Sequence, residues 1–129
     1  MNYLFALLPA AYIFGIFFYA DSPVVSQIAV FNPFSILHIP LYGILTLLLV
    51  LALRPPSAAN SKLRLALIAL IAVAVAILDE FHQSSIPGRE ASIIDVFLDV
   101  LGVSLALLLL RHGGFAHWTA RLQKLTRCG

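Results

Sequence analysis

The sequence predicts an all-α membrane protein: a four-transmembrane-helix bundle with both termini cytoplasmic and a short amphipathic helix at its C-terminal end. Three observations predict it. First, 61% of the residues are hydrophobic and only 11% are charged, against roughly a quarter charged in soluble domains. A soluble fold of this size would expose much of that apolar surface, whereas lipid accepts it. Second, apolar runs near the ~20 residues that cross a bilayer recur between polar breaks. Third, the basic residues fall almost entirely on one side of those runs.

The first run extends from Tyr3 to Ala20. It lacks a basic n-region, is long for an h-region, and has bulky Phe18 and Tyr19 where a signal peptidase needs small residues, so it reads as a retained helix. The second runs from Phe34 to Leu53 and ends at Pro55-Pro56-Ser57 and Asn60-Ser61, residues that break helices. The third runs from Leu63 to His82 and ends at Ser84-Ser85-Ile86-Pro87-Gly88; the fourth runs from Ser92 to Leu110. Residues 1–111 thus form the transmembrane domain and 112–129 a basic cytoplasmic tail. In the tail, Phe115, Trp118, Leu122 and Leu125 share one helical face and Arg121, Lys124 and Arg127 the rest, the pattern of a helix lying on an anionic leaflet. The single cysteine, Cys128, excludes a disulfide framework within one chain.

Orientation follows from charge. Arg54, Lys62 and Arg64 flank the middle loop, and Arg111, Arg121, Lys124 and Arg127 follow the last helix. The positive-inside rule makes that side cytoplasmic. Arg89 alone lies opposite, and all the acids (Asp21, Asp79, Glu80, Glu90, Asp95 and Asp99) map to its side.

Helical rise gives the polar residues a depth. Counting from the cytoplasmic arginines, His38, Glu80 and Asp95 each sit ~24 Å up, and Tyr42 and Asp99 ~18 Å. The hydrocarbon core is about 30 Å thick. These groups therefore lie inside the outer part of the membrane, in two layers on three helices. Residues three or four apart share a face: His38 with Tyr42, Asp79 and Glu80 with Gln83, and the stripe Ser92, Asp95, Asp99, Gly102 and Ala106. Ala69, Ala72 and Ala76 continue the third helix's stripe, and small residues there let helices approach closely. Pro40, which lacks an N–H, is expected to free a carbonyl near Ile36.

An ionised group at membrane depth costs about 2.5–3.5 kcal/mol on the insertion scale unless paired or wetted. Asp79, Glu80, Asp95 and Asp99 are expected to line a cavity open to the outside, to pair with Arg89 and His38, or to be held in part protonated. Glu80 is the candidate catalytic acid or base, with His38 and Asp95 at its level as tuning partners. Arg89 is the candidate clamp for a phosphate, or else pairs with Glu90, Asp95 or Glu80. Gln83, Tyr42, Asp79, Asp99 and Ser92 are candidate substrate-binding residues. His38, Glu80 and Asp95 could ligate a metal from three helices, but their spacing is not a metal motif, and neither a metal nor another cofactor is assigned. His82, Tyr12 and Tyr19 read as interfacial or ordinary membrane side chains, and Asp21 and Glu90 as solvated. The sequence has no glycine-rich phosphate loop, nucleophile elbow or nucleic-acid-binding patch, so no nucleic-acid partner is expected.

The run from Asp79 to Val96, Asp-Glu-Phe-His-Gln-Ser-Ser-Ile-Pro-Gly-Arg-Glu-Ala-Ser-Ile-Ile-Asp-Val, followed by Gly102, resembles the signature of VanZ-like membrane proteins. That signature reads D-E-x-x-Q, then P-G-R, S-x-x-D-V and N-x-x-G; His38 and Tyr42 are similar to its second-helix H-x-x-x-Y/F element. Two positions depart from it. Asp99 stands where the family often has Asn, and Leu37 where a lysine often precedes the histidine. The family takes its name from a protein associated with resistance to the glycopeptide teicoplanin. The resemblance implies an effect at the outer surface, on the envelope or on antibiotic access, and supplies no established reaction.

The expectation is thus a multi-pass protein of the bacterial inner membrane, motif side outward, whose polar pocket binds or modifies an envelope lipid or other amphiphile. Its expected partners are membrane lipids and a lipid-linked envelope precursor. Two other uses fit the residues: a noncatalytic tolerance factor whose polar cluster is structural, and a proton-coupled carrier, which the lack of an inner-side polar path disfavours.

Overall fold

The computed structural model describes residues 3–31, 35–53 and 61–112. Its elements are helices: α1 (Tyr3–Tyr19), α2 (Pro23–Phe31), α3 (His38–Ala52), α4 (Ser61–Gln83) and α5 (Ile93–Arg111), with no strand among the described residues. The four apolar runs become α1, α3, α4 and α5. By length and composition α4 and α5 can cross a membrane; α1 and α3 are apolar but have 17 and 15 residues. Arg54, the proline break after it, and the basic face of the tail lie outside the described residues.

The second helix was not among the expected elements. Its start is nonetheless written in the sequence. Ser22 caps it, its Oγ accepting from the Val25 N–H at 3.2 Å, and Pro23 takes the first helical position, where a missing N–H costs nothing. Nine residues are too few for hydropathy to register.

The third helix begins at His38, four residues later than the apolar run. Ser35 has φ 52°, a left-handed conformation that redirects the chain, and a tight turn follows in which the His38 N–H meets the Ser35 carbonyl at 3.0 Å. Pro40 therefore lies in the first helical turn, where its N–H would have had no helical partner. The expected free carbonyl near Ile36 is not found: the Ile36 oxygen accepts from Ile39 N–H at 3.1 Å.

The helices pack chiefly around α3, which touches α5 most extensively and also α1 and α4. The core between them is Tyr42, Leu45, Leu49, Val50, Ile68, Ala72, Ala76 and Val103, all buried. Ala72 and Ala76, from the small-residue stripe, let α4 approach; the third member, Ala69, is only partly buried. Gly102 is the tightest point. A Cβ there would overlap the Ile39 carbonyl on α3, so only glycine permits this crossing. Large apolar side chains also face outward: Leu70, Leu78, Phe81, Ile93, Phe97 and Leu109 are all at least 60% exposed. Such a continuous apolar exterior is what a lipid-facing bundle presents.

Candidate functional site

Three helix ends bring the polar residues together: the start of α3, the end of α4 and the start of α5. Between α4 and α5 the chain reverses through Ile86-Pro87-Gly88-Arg89. Proline sits second, Gly88 third with φ 82°, and the Arg89 N–H closes the turn on the Ile86 carbonyl at 3.1 Å. That is the type II pattern, and its third position requires a residue tolerant of positive φ. The turn returns Arg89 over the end of α4, where its Nη1 donates to Gln83 Oε1 at 3.2 Å. Among the described residues Arg89 makes no ion pair with Glu90, Asp95 or Glu80.

His38 is the hub. Its Nδ1 lies 2.8 Å from Asp99 Oδ1, and its Nε2 lies 3.9 Å from Asp95 Oδ2. The expectation put His38 level with Asp95 and Glu80 and one layer above Asp99. It contacts both layers, because the Gly102–Ile39 approach draws the first turn of α3 onto α5. His38 also stacks on Tyr42 one turn below, ring centres 6.5 Å apart.

Glu80 is buried, and its Oε2 accepts from the Ser92 backbone N–H at 2.8 Å. Ser92 is the N-cap of α5, so this bond ties the end of α4 to an otherwise open helix start. It is the main chain of Ser92, not its hydroxyl, that makes the contact. Asp79 is buried below, accepting at Oδ2 from the Tyr42 hydroxyl at 3.1 Å. Thr46 closes the lower boundary with its hydroxyl on the Tyr42 carbonyl at 2.8 Å. Three buried carboxylate oxygens keep no hydrogen-bond partner: Asp79 Oδ1, Glu80 Oε1 and Asp99 Oδ2. The ligand atoms of His38, Glu80 and Asp95 lie within 4.8 Å of one another.

Above this cluster opens a cavity of about 490 Å³. Its lining is mixed: polar from His38, Asp79, Gln83, Arg89, Glu90 and Asp95, and apolar from Ile16, Leu37 and Leu41 among others. Residues from α1 and α2 complete it, so the short second helix contributes Val25 to the rim. Sequence reasoning missed two contributors. Tyr12 is not a plain membrane aromatic: its hydroxyl donates to the Leu41 carbonyl at 3.0 Å and fixes α1 against α3. His82 packs against Phe17 of α1, ring centres 5.3 Å apart. Neither contact has a sequence signal, because both depend on where α1 docks.

The VanZ/LLP1 family, compared as a sequence model, matches residues 2–116. That span includes every residue of the cluster and of the cavity. No curated protein and no solved structure matches the chain.

Proposed function

The chain belongs to the VanZ/LLP1 family, and from that premise we propose that it is a multi-pass protein of the bacterial inner membrane whose cavity binds an anionic amphiphile of the envelope. In this reading α1, α3, α4 and α5 all cross the bilayer. The shorter two are met by local thinning or by their flanking turns. Both termini are cytoplasmic and the cavity faces outward, as the distribution of arginine and lysine requires under the positive-inside rule.

The observation that carries the reading is the mixed polar and apolar lining of the cavity. An amphiphile needs apolar surface for its chain and polar groups for its head, and Ile16, Leu37 and Leu41 line the same cavity as Arg89 and Gln83. Arg89 belongs to that lining, and its guanidinium fork suits a phosphate or pyrophosphate. Its present partner is a neutral amide rather than a carboxylate, which an anionic head can displace at small cost. Glu80, buried beside His38 and Asp95, is the group placed for proton transfer if the bound molecule is also modified.

Mass spectrometry of lipids copurifying with the detergent-solubilised chain tests this directly. The wild type is expected to retain a phosphate- or pyrophosphate-bearing lipid, and Arg89→Ala to lose at least tenfold of it. A lipid complement identical in Arg89→Ala and wild type would sink the clamp. Glu80→Gln keeps the shape of the site and removes its proton exchange. If it changes neither the bound lipid nor the envelope phenotype of a deletion strain, the cavity binds without catalysing.

A further inference from the structure

The cluster beneath the cavity has a charge problem that the protein's own side chains do not solve. Glu80, Asp95 and Asp99 gather around the His38 imidazole, Asp79 is held by the Tyr42 hydroxyl, and Arg89 is engaged with Gln83. Glu80 is 5% exposed and its Oε1 has no partner, although Oε2 is anchored by the Ser92 N–H. A buried carboxylate oxygen without a donor calls for an absent one or for a cation.

We propose that His38, Glu80 and Asp95 hold a single zinc-class divalent cation at the floor of the cavity. Three features support a cation over an absent hydrogen-bond donor. The ligand set is one imidazole nitrogen and two carboxylate oxygens from three different helices, a combination that suits zinc and its neighbours. His38 is held in a metal-binding orientation. With Asp99 ionised, its carboxylate accepts from the Nδ1–H, which leaves the Nε2 lone pair free on the side of Asp95. This carboxylate–histidine arrangement is the usual support behind a metal ligand. Glu80 is supported in the same way, by a backbone N–H on one oxygen while the other stays free.

The distances are compatible. Donor atoms around a tetrahedral zinc at about 2.0–2.2 Å sit ~3.4 Å apart. The 3.9 Å His38–Asp95 pair therefore closes by about half an ångström, and the remaining pairs by no more than ~1.4 Å. Three protein ligands leave a fourth position, and His38 and Asp95 both line the cavity, so that position opens into it. Resting on the function proposed above, the cation and Arg89 would grip the same anionic head from two sides. The cation itself does not depend on that reading.

Zinc is the probe. The full chain, purified in detergent and stripped with chelator, is titrated with Zn²⁺ alone and then with Co²⁺, whose visible spectrum reports coordination. The expected result is one zinc per chain, with intense four- or five-coordinate cobalt bands. His38→Ala and Glu80→Gln are each expected to weaken binding more than tenfold. Asp99→Asn should keep the stoichiometry and lose ten- to a hundredfold in affinity. Asp21→Asn, remote from the cluster, should bind as wild type. Should the His38 and Glu80 variants fail to fold, wild-type stoichiometry and the cobalt spectrum decide alone. A wild type that takes up no zinc, or cobalt with a purely six-coordinate aqueous spectrum, overturns the cation and leaves the lipid reading intact. Undiminished zinc binding in folded His38→Ala also overturns it. Zinc bound in wild type with no copurifying lipid upholds the cation and removes the amphiphile.

Discussion

At the end of the bundle where α4 stops, the helices meet through Asp79, Glu80, Asp95, Asp99 and His38. About two to three turns further along α3, they meet through Leu45, Leu49, Ile68, Ala72 and Val103. The same helices make both contacts, so the difference lies in the side chains alone. The second region has what a bundle in lipid needs: small residues for close approach and interlocking aliphatic groups. The first has buried carboxylate oxygens without partners. Each is a net cost that packing elsewhere must offset. On the function proposed above, such groups are held where they bind something, which assigns binding to one end and stability to the other.

The sharpest way to break this division is at the residue that joins the two regions. Gly102 lies between Asp99 of the polar end and Val103 of the dry end, against the Ile39 backbone. Gly102→Leu must push α3 from α5, and backbone cannot yield as a side chain can. We expect a loss of about 3 kcal/mol or more, at the upper end for overpacking, together with loss of ligand binding. The measurement is reversible denaturation in mixed micelles alongside the lipid retention assay. Wild-type stability in Gly102→Leu would mean that the helices are not this close.

Elsewhere the two regions should respond with opposite sign. Ile68 is fully buried at the dry end. Ile68→Ala leaves a cavity and is expected to cost ~2 kcal/mol, toward the low end of the range for such truncations because lipid replaces water as the alternative solvent. Lipid retention should be unchanged. Asp79→Asn acts the other way. The amide oxygen still accepts from Tyr42, and the buried charge is gone. A gain of ~1–2 kcal/mol is expected, part of the insertion cost of an ionised carboxylate, with retention of an anionic lipid raised, because a like charge leaves the cavity that Asp79 lines. If Asp79→Asn destabilised as much as Ile68→Ala, the polar end would be a structural network, and the division would fail.

The dry end was the more legible of the two in sequence. Runs such as Leu63 to His82 and Ser92 to Leu110 differ by a few residues from α4 and α5, because apolar length is a bulk property that the bilayer imposes. The convergence of His38, Glu80 and Asp95 was also readable, since equal rise from a common charged boundary puts them at one height. What could not be read was anything set by lateral docking. The His38–Asp99 contact depends on how near α3 comes to α5, and that depends on the missing Cβ of Gly102. The second helix escaped for a different reason. Its signal is the Ser22-Pro23 cap and not its hydropathy, so it is found only by looking for helix starts.

The smallest expected effect tests whether α1 belongs to the site or only to the scaffold. Tyr12 donates to the Leu41 carbonyl, and Leu41 forms part of the apolar cavity lining. In mid-helix that carbonyl has a partner four residues on, so Tyr12→Phe leaves no acceptor unsatisfied. Interhelical hydrogen bonds in membranes contribute about 0.6 kcal/mol on average, and a stability loss near that figure is expected. The effect on the cavity should be larger in proportion. Without the bond, α1 is held chiefly by side-chain packing such as Phe17 on His82, and Ile16 of α1 loosens against Leu41 of α3 in the cavity lining. Exchange of a labelled phospholipid from the purified protein should accelerate several-fold while zinc affinity stays at the wild-type value. Unchanged lipid exchange would assign α1 to the scaffold. A loss of zinc affinity would show instead that α1 sets the position of α3, and with it the spacing of His38 from Asp95.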